Sequence, residues 1–195
     1  MIPMTKLLSG SAALALMALL ACGGGGGGGS SAPTTATSLA YTDPTTGTYL
    51  LKKNAALSTA THLVLDLVGP SSTTGTGVTT TFTADATRVA WANVAAGDPA
   101  NTFVQNGTAF NLGAASQILK GKVSGGTLQV TAAQKGTASP VSLNAPLLRV
   151  ALDLRASQPP GAVSLGADSS KCQVIDGTGA IVAPIAVTVG TLAAQ

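Results

Sequence analysis

The chain has 195 residues, of which 9% are charged, 3% are aromatic and one is a histidine, and it contains no glutamate. An average soluble domain carries roughly 25% charged residues, so this composition disfavours chemistry that depends on clustered acids, bases or metal ligands. The formal net charge is +3, and the basic residues are scattered rather than gathered into a stripe with interleaved aromatics, so nucleic acid is not an expected partner.

The first 21 residues read as a leader. Lys6 precedes an apolar run from Leu7 to Leu20, which is shorter than the about 20 residues that a membrane-spanning helix needs and fits the apolar part of a secretory signal peptide. The run ends in Leu19-Leu20-Ala21-Cys22, a tetrapeptide that resembles the lipobox of bacterial lipoproteins. The resemblance implies cleavage before Cys22 and lipid modification of its thiol, so residues 1–21 are predicted to be a lipoprotein signal peptide.

Residues 22–37 are predicted to form the lipidated cysteine and a flexible tether. Seven glycines follow Cys22, and Gly-rich chains behave as flexible coils. In lipoproteins an aspartate directly after the lipidated cysteine tends to retain the protein in the inner membrane, and Gly23 stands at that position here. We therefore expect acylated Cys22 to anchor the protein in membrane lipid, in the outer membrane of a Gram-negative bacterium.

The remaining residues, 38–195, are predicted to form one all-β domain. Apolar and polar residues alternate with a period of two, and turn signals such as Gly69-Pro70 and Asp176-Gly177 separate the alternating runs. About nine short strands at this spacing favour an antiparallel β-sandwich of the jelly-roll type. The candidate strands are 47–53, 62–68, 78–84, 88–94, 102–110, 117–123, 127–133, 148–155, 171–175 and 181–189.

The clearest of these strands is 148–155. Leucine or valine occupies every second position from Leu148 to Leu154, and Arg149 lies between the first two. The pattern predicts that the apolar side chains face the core and that Arg149 faces solvent. On that basis, truncating Arg149 is expected to change the stability by only about 0.5 kcal/mol.

Three segments of this domain resemble those of a known family. Residues 78–94, VTTTFTADATRVAWANV, read as a strand, an acidic turn and a strand with a tryptophan; residues 146–156, PLLRVALDLRA, form the long central strand, and residues 183–191 the last strand. In order and spacing they resemble the corresponding segments of cohesin modules, over residues 39–192. The resemblance implies the jelly-roll sandwich that cohesins share with carbohydrate-binding modules, and it implies a non-catalytic binding or scaffolding module.

Two classes of partner remain open for such a module, a protein and a polysaccharide. Binding sites for polysaccharides on this type of sandwich use exposed aromatic rings on which sugars stack. Trp91 and Phe82 follow the pattern of the core face, whereas Tyr41 and Tyr49 flank a polar turn. Tyr41 and Tyr49 are therefore the candidate ligand-binding residues if a sugar binds.

The sequence predicts no catalytic residue, no metal site and no cofactor. His62 is the only imidazole and is expected on an exposed strand face. No G-x-S-x-G motif occurs, and a zinc site needs several cysteines or histidines. Cys172 is predicted to be a small buried residue. A hydrolase with an unmarked active site is the third and least favoured alternative.

Overall fold

The structure, a computed structural model, describes residues 34–112, 118–134 and 138–195. In these ranges no helix is long and apolar enough to cross a membrane, and the one helical element is the 3₁₀ turn Ser169–Lys171. The described strands are β1 Leu39–Thr42, β2 Tyr49–Lys53, β3 His62–Val68, β4 Thr74–Ala84, β5 Val89–Ala92, β6 Gln105–Asn106, β7 Leu119–Ser124, β8 Thr127–Ala133, β9 Val141–Ser142, β10 Pro146–Leu154, β11 Gly161–Val163, β12 Leu165–Ala167, β13 Gln173–Asp176, β14 Ile181–Val182, β15 Val187–Thr188 and β16 Thr191–Ala194. The predicted all-β class is confirmed.

Sheet 1 has the strand order β15-β2-β3-β10-β5, with β6 also paired to β10. The central pair, β3 and β10, is antiparallel and places Leu65 opposite Val150. Alternation along both strands turns every second side chain to the same side of the sheet. The pairing of β15 with β2 is parallel, so one strand pair departs from the antiparallel arrangement that the sequence predicts.

Sheet 2 has the strand order β14-β13-β4-β8-β7, and β9 and β12 pair with parts of β4. Strand β4 is eleven residues long and rich in threonine, a β-branched residue that packs well on a pleated surface. Its antiparallel register with β8 places Thr80 opposite Val130 and Phe82 opposite Leu128. A third, small sheet, β1-β16-β11, pairs the first and last strands of the domain.

The hydrophobic core lies between sheets 1 and 2. Trp91 belongs to it as predicted, because it is buried, its ring centroid lies 6.2 Å from that of Phe82, and its indole N–H donates to the Gly126 carbonyl at 2.9 Å. The predicted inward row of the central strand is confirmed at its first three positions, which are fully buried, whereas Leu154 is half-buried. The fully or nearly fully buried residues that face each other across the core include Leu63, Leu65, Leu67, Leu148, Val150, Leu152, Val78, Phe82, Leu128 and Val130.

Two predicted strands are shorter than expected. In the predicted strand 102–110 only Gln105–Asn106 pairs with a neighbour, since the Asn93 side-chain oxygen accepts the N–H groups of Thr102 and Phe103. The predicted strand 181–189 divides into β14, which pairs in sheet 2, and β15, which pairs in sheet 1. Pro184 lies between them and has no N–H with which to continue a ladder.

The chain is already packed on the domain before β1. Ala36 is buried, and its N–H donates to the Gln158 carbonyl at 2.7 Å. Residue 36 falls within the tether predicted for 22–37, so the last part of that segment contributes to the core.

Candidate functional site: the open face of sheet 2

Of the two tyrosines expected from the sequence to bind a ligand, Tyr49 is buried and Tyr41 is half-buried. Tyr49 is 5% exposed. The Tyr41 hydroxyl donates to the Leu51 carbonyl at 2.7 Å and accepts the Gly190 N–H at 2.7 Å, and burial raises the pKa of Tyr41 to about 12. The expectation that these two rings are exposed is wrong for Tyr49, which belongs to the core, and is met only in part by Tyr41, which is half-buried against it.

The other aromatic rings do not replace them. All six aromatic side chains lie in the described ranges, and each is either buried or partly buried. Stacking of a sugar ring needs an exposed aromatic face. The conformation described here therefore offers no aromatic platform for a polysaccharide.

His62 is half-buried rather than exposed on the strand surface, which corrects the expectation from the sequence. Its Nδ1 lies 2.6 Å from a carboxylate oxygen of Asp153, and its Nε2 lies 3.1 Å from the Val94 carbonyl oxygen. Both ring nitrogens face an acceptor, so neither is free to activate a hydroxyl group. Among the described residues, no three histidine, cysteine or acidic side chains cluster as metal ligands would.

Cys172 is free and fully buried, as predicted. Its thiol lies 3.2 Å from the Asp168 carbonyl oxygen, and desolvation by burial raises the pKa of the thiol. A buried, protonated thiol is unreactive. The predicted lipidation site, Cys22, lies outside the described residues.

The outer face of sheet 1 is largely covered. Val64 and Ala151 are fully buried there under Val94, in a cluster separate from the main core. Arg149 lies on the same face, where its Nε donates to a carboxylate oxygen of Asp66 at 2.8 Å. The solvent-facing position predicted for Arg149 is thus partly wrong, because its partner is a buried carboxylate.

The outer face of sheet 2 is open along its edge strand β7 and the neighbouring β8, whereas Thr81 of β4, opposite Gln129, is buried. Along β7 the side chains of Lys120, Lys122 and Ser124 are exposed, and Gln129 of β8 is exposed beside them. The register places Lys120 opposite Thr131 and Lys122 opposite Gln129. We call this surface the sheet 2 face: the outward side chains of β4, β7, β8, β13 and β14.

One end of the sheet 2 face is apolar. Cross-strand pairing aligns Ile181, Ile175, Gly77 and Ala133 in one row, and the Ala133 N–H donates to the Ile118 carbonyl at 2.9 Å, which extends the row to the sheet edge. Ile118 and Ile181 are 44% and 65% exposed. A Cβ on Gly77 would lie 2.6 Å from that of Ala133, so glycine keeps the middle of the row shallow. The result is a cavity of about 490 Å³ lined by Ile118, Ala133, Ile175 and Pro140. We call it the apolar pocket.

The edge of the same face is basic. A second cavity, of about 550 Å³, is lined by Lys120, Lys122, Gln129 and Thr131 together with Asn101. We call it the basic pocket. Gly121 lies between the two lysines, and a Cβ there would lie 2.5 Å from the Thr102 carbonyl oxygen. Glycine at this position therefore allows the 101–104 loop to pack closely against β7.

Part of this site has a signal in the sequence. Lys120 and Lys122 alternate with Leu119, Gly121 and Val123, the pattern of a strand that is polar on one side. The apolar row has no such signal, because Ile118 and Ile181 are far apart in sequence and are aligned only by the strand order of sheet 2.

No protein-family model and no curated protein matches the chain. Several solved structures are similar in fold, among them three from Acetivibrio cellulolyticus. A type II cohesin domain from its cellulosome and the second type II cohesin module of its adaptor scaffoldin ScaA are each 12% identical to this chain, with a TM-score of 0.52 over 75% of this chain and 94% of theirs. A type II cohesin–X-dockerin complex gives 12% identity and a TM-score of 0.52 over 74% of this chain and 95% of the matched chain. At this level of identity the likeness shows the fold: the described domain is a β-sandwich of the kind found in cohesin modules.

Proposed function

We propose that this protein is a non-catalytic binding module that captures a protein partner on the sheet 2 face, and that lipid on Cys22 holds it at a membrane. The observation that carries the proposal is the exposed apolar row on a sheet that is otherwise polar. The sheet 1 face covers its apolar residues with its own loops, whereas Ile118 and Ile181 remain exposed on sheet 2. Exposed apolar residues that form a patch with a polar rim are typical of protein-interaction sites.

Fold likeness supports the same conclusion. One of the similar structures is a cohesin in complex with an X-dockerin, which is a protein partner. The short side chains of sheet 2, such as threonine and glycine, allow close approach of another chain. Protein interfaces need such complementarity over about 800 Å² on each partner, an area that a five-stranded sheet can supply.

The two alternatives have less support. A carbohydrate-binding module needs exposed rings for stacking, and each aromatic ring of the described residues is buried or partly buried. A hydrolase needs a free base near a nucleophile, and His62 has an acceptor at each nitrogen. Neither alternative explains the exposed isoleucines.

The proposed location follows from the leader. The lipobox-like Leu19-Leu20-Ala21-Cys22 and the glycines after it support acylation of Cys22 and attachment of the domain to the outer membrane. Tethering of this kind raises the local concentration of a binding module near its partner.

The test is capture of a partner by the full chain from extracts of the cells that make it, compared with two variants. Gln129→Trp places a large uncharged side chain at the centre of the sheet 2 face. Thr42→Trp is the matched control, since Thr42 is also exposed on a strand but belongs to the small sheet. We expect the same protein to be captured by the wild type and by Thr42→Trp, and to be lost with Gln129→Trp.

Thermal melts of both variants establish that they are folded, and a glycan array on the same chain tests the alternative. A glycan that binds the wild type and is lost with Gln129→Trp supports the carbohydrate module instead. Equal capture by both tryptophan variants contradicts the sheet 2 face as the binding site.

A further inference from the structure

The two pockets of the sheet 2 face differ in chemistry, and the difference bears on the partner. No described residue that lines the apolar pocket at Ile118 and Ile175 is charged, whereas the basic pocket presents two lysines on the exposed edge strand β7. Of the strands that form this face, only β13 contains an acidic residue, Asp176, and its carboxylate accepts the N–H groups of Thr178 and Ala180. The positive charge on β7 is therefore not balanced by a carboxylate from the strands beside it, β8 and β4.

The carboxylates of the domain, including Asp176 on the sheet 2 face, already have partners within the chain. All seven aspartates lie in the described ranges, and each accepts a hydrogen bond or ion pair from a nearby group of the same chain: Asp43, Asp66, Asp85, Asp98, Asp153, Asp168 and Asp176. By contrast, neither Lys120 nor Lys122 belongs to an ion pair among the described residues. The described residues of this chain therefore leave both lysines available to an anionic group of another molecule.

We infer that the partner presents an acidic segment of a protein, with carboxylates that meet Lys120 and Lys122 and an apolar side chain that enters the apolar pocket beside them. This inference rests on the proposed function. The two lysines project from the same side of β7 and lie roughly 7 Å apart along the strand. Carboxylates two residues apart on an extended segment, or one turn apart on a helix, match that separation.

The neighbouring apolar row selects a protein over other polyanions. An acidic polysaccharide supplies carboxylates but has no aliphatic side chain for the cavity between Ile118 and Ile175. A protein segment supplies both from one short stretch. The combination of an apolar pocket and a basic edge on one sheet therefore fits an acidic, amphipathic segment.

The chain contains a matched control for the lysine pair. Lys52 and Lys53 are also near neighbours on a strand, β2, but that strand belongs to sheet 1. Lys120→Gln/Lys122→Gln and Lys52→Gln/Lys53→Gln remove the same charge from the molecule. A difference between the two double variants consequently reports on the location of the charge and not on its amount.

The experiment uses a displayed library of random 20-residue peptides selected on the immobilised full chain. We expect the enriched peptides to carry net negative charge and at least one large apolar residue. Their affinity should fall about tenfold with Lys120→Gln/Lys122→Gln, and should change less than twofold with Lys52→Gln/Lys53→Gln. It should also weaken as salt rises from 50 to 500 mM, because salt screens exposed charges. A selection on Lys120→Glu/Lys122→Glu should enrich basic peptides.

The outcomes separate this inference from the proposed function. The inference is overturned if the enriched peptides carry no excess of acidic residues and bind both lysine double variants equally. If those peptides no longer bind Gln129→Trp, the sheet 2 face is still a binding site. Peptides that are insensitive to Gln129→Trp contradict both. If no acidic peptide is enriched and hyaluronate or polygalacturonate binds in a way that depends on Lys120 and Lys122, the partner is an acidic polysaccharide. That result overturns the inference that the partner is a protein.

Discussion

Arg149→Ala tests the electrostatics of the covered face of sheet 1. The Arg149 Nε lies 2.8 Å from a carboxylate oxygen of Asp66, and the two side chains are 20% and 11% exposed. Asp66 also accepts a hydrogen bond from the Asn54 side-chain amide at 2.9 Å. Removing the guanidinium leaves the mostly buried Asp66 carboxylate with one neutral hydrogen-bond donor. The alternation of inward and outward residues along the strand does not predict this loss of stability.

The magnitude follows from the degree of burial. Exposed ion pairs contribute about 0.2–1 kcal/mol, and breaking a fully buried pair costs about 3–5 kcal/mol. The Arg149–Asp66 pair lies between these limits, so we expect Arg149→Ala to lower the free energy of unfolding by about 2 kcal/mol. For a domain of this size that corresponds to a fall in Tm of about 4–8 °C.

The assay is urea unfolding of the full chain followed by the fluorescence of Trp91, the only tryptophan. Lys52→Ala is the control, because Lys52 is the other cross-strand neighbour of Asp66 and belongs to no ion pair among the described residues. It should change the stability by about 0.5 kcal/mol or less. If Arg149→Ala and Lys52→Ala unfold at the same urea concentration, Asp66 is screened by solvent and the reasoning is refuted.

Three further predictions use other features of the chain. The Thr80 hydroxyl is buried and has no hydrogen-bond partner among the described residues, so Thr80→Val should raise the free energy of unfolding by about 1–2 kcal/mol. Thr79→Val is the control and should lower the free energy of unfolding, since the Thr79 hydroxyl is hydrogen-bonded to that of Thr131 at 2.9 Å. Urea melts in which Thr79→Val is the more stable of the two variants contradict this. Burial of Cys172 and acylation of Cys22 together predict that the native, membrane-extracted chain has no thiol that reacts with Ellman's reagent and that the unfolded chain has one. A reactive thiol before unfolding contradicts either the burial of Cys172 or the acylation of Cys22. The intact mass of the chain shows whether Cys22 is acylated and so identifies which of the two is wrong. Cys22→Ser should move the protein from the membrane to the soluble fraction, and a variant that stays with the membrane would show that another segment anchors it.

The interpretation of the domain from its sequence succeeded where a local pattern carries the information. Strands β3 and β8 begin and end where the alternation predicts, because one buried face selects a period of two. The burial of Trp91 and Cys172 follows from the same alternation. The expected exposure was wrong for Tyr49 and only partly met by Tyr41, since residues 42–48 between them are mostly polar whereas both rings pack against the core.

The all-β class, the sandwich and its likeness to cohesin modules were within reach of the amino-acid sequence alone, because periodicity and turn residues are local properties of the chain. The leader and its lipobox are read from the sequence as well, and they stay predictions. The strand order was decided only by the tertiary structure, and with it the alignment of Ile118, Ala133, Ile175 and Ile181 into one apolar row whose two ends, Ile118 and Ile181, are exposed. Which face of a sheet is covered depends on loops packing from elsewhere in the chain, as Val94 does over Val64. That packing is non-local, and for this reason the covered face of sheet 1 and the open face of sheet 2 could be told apart only in three dimensions.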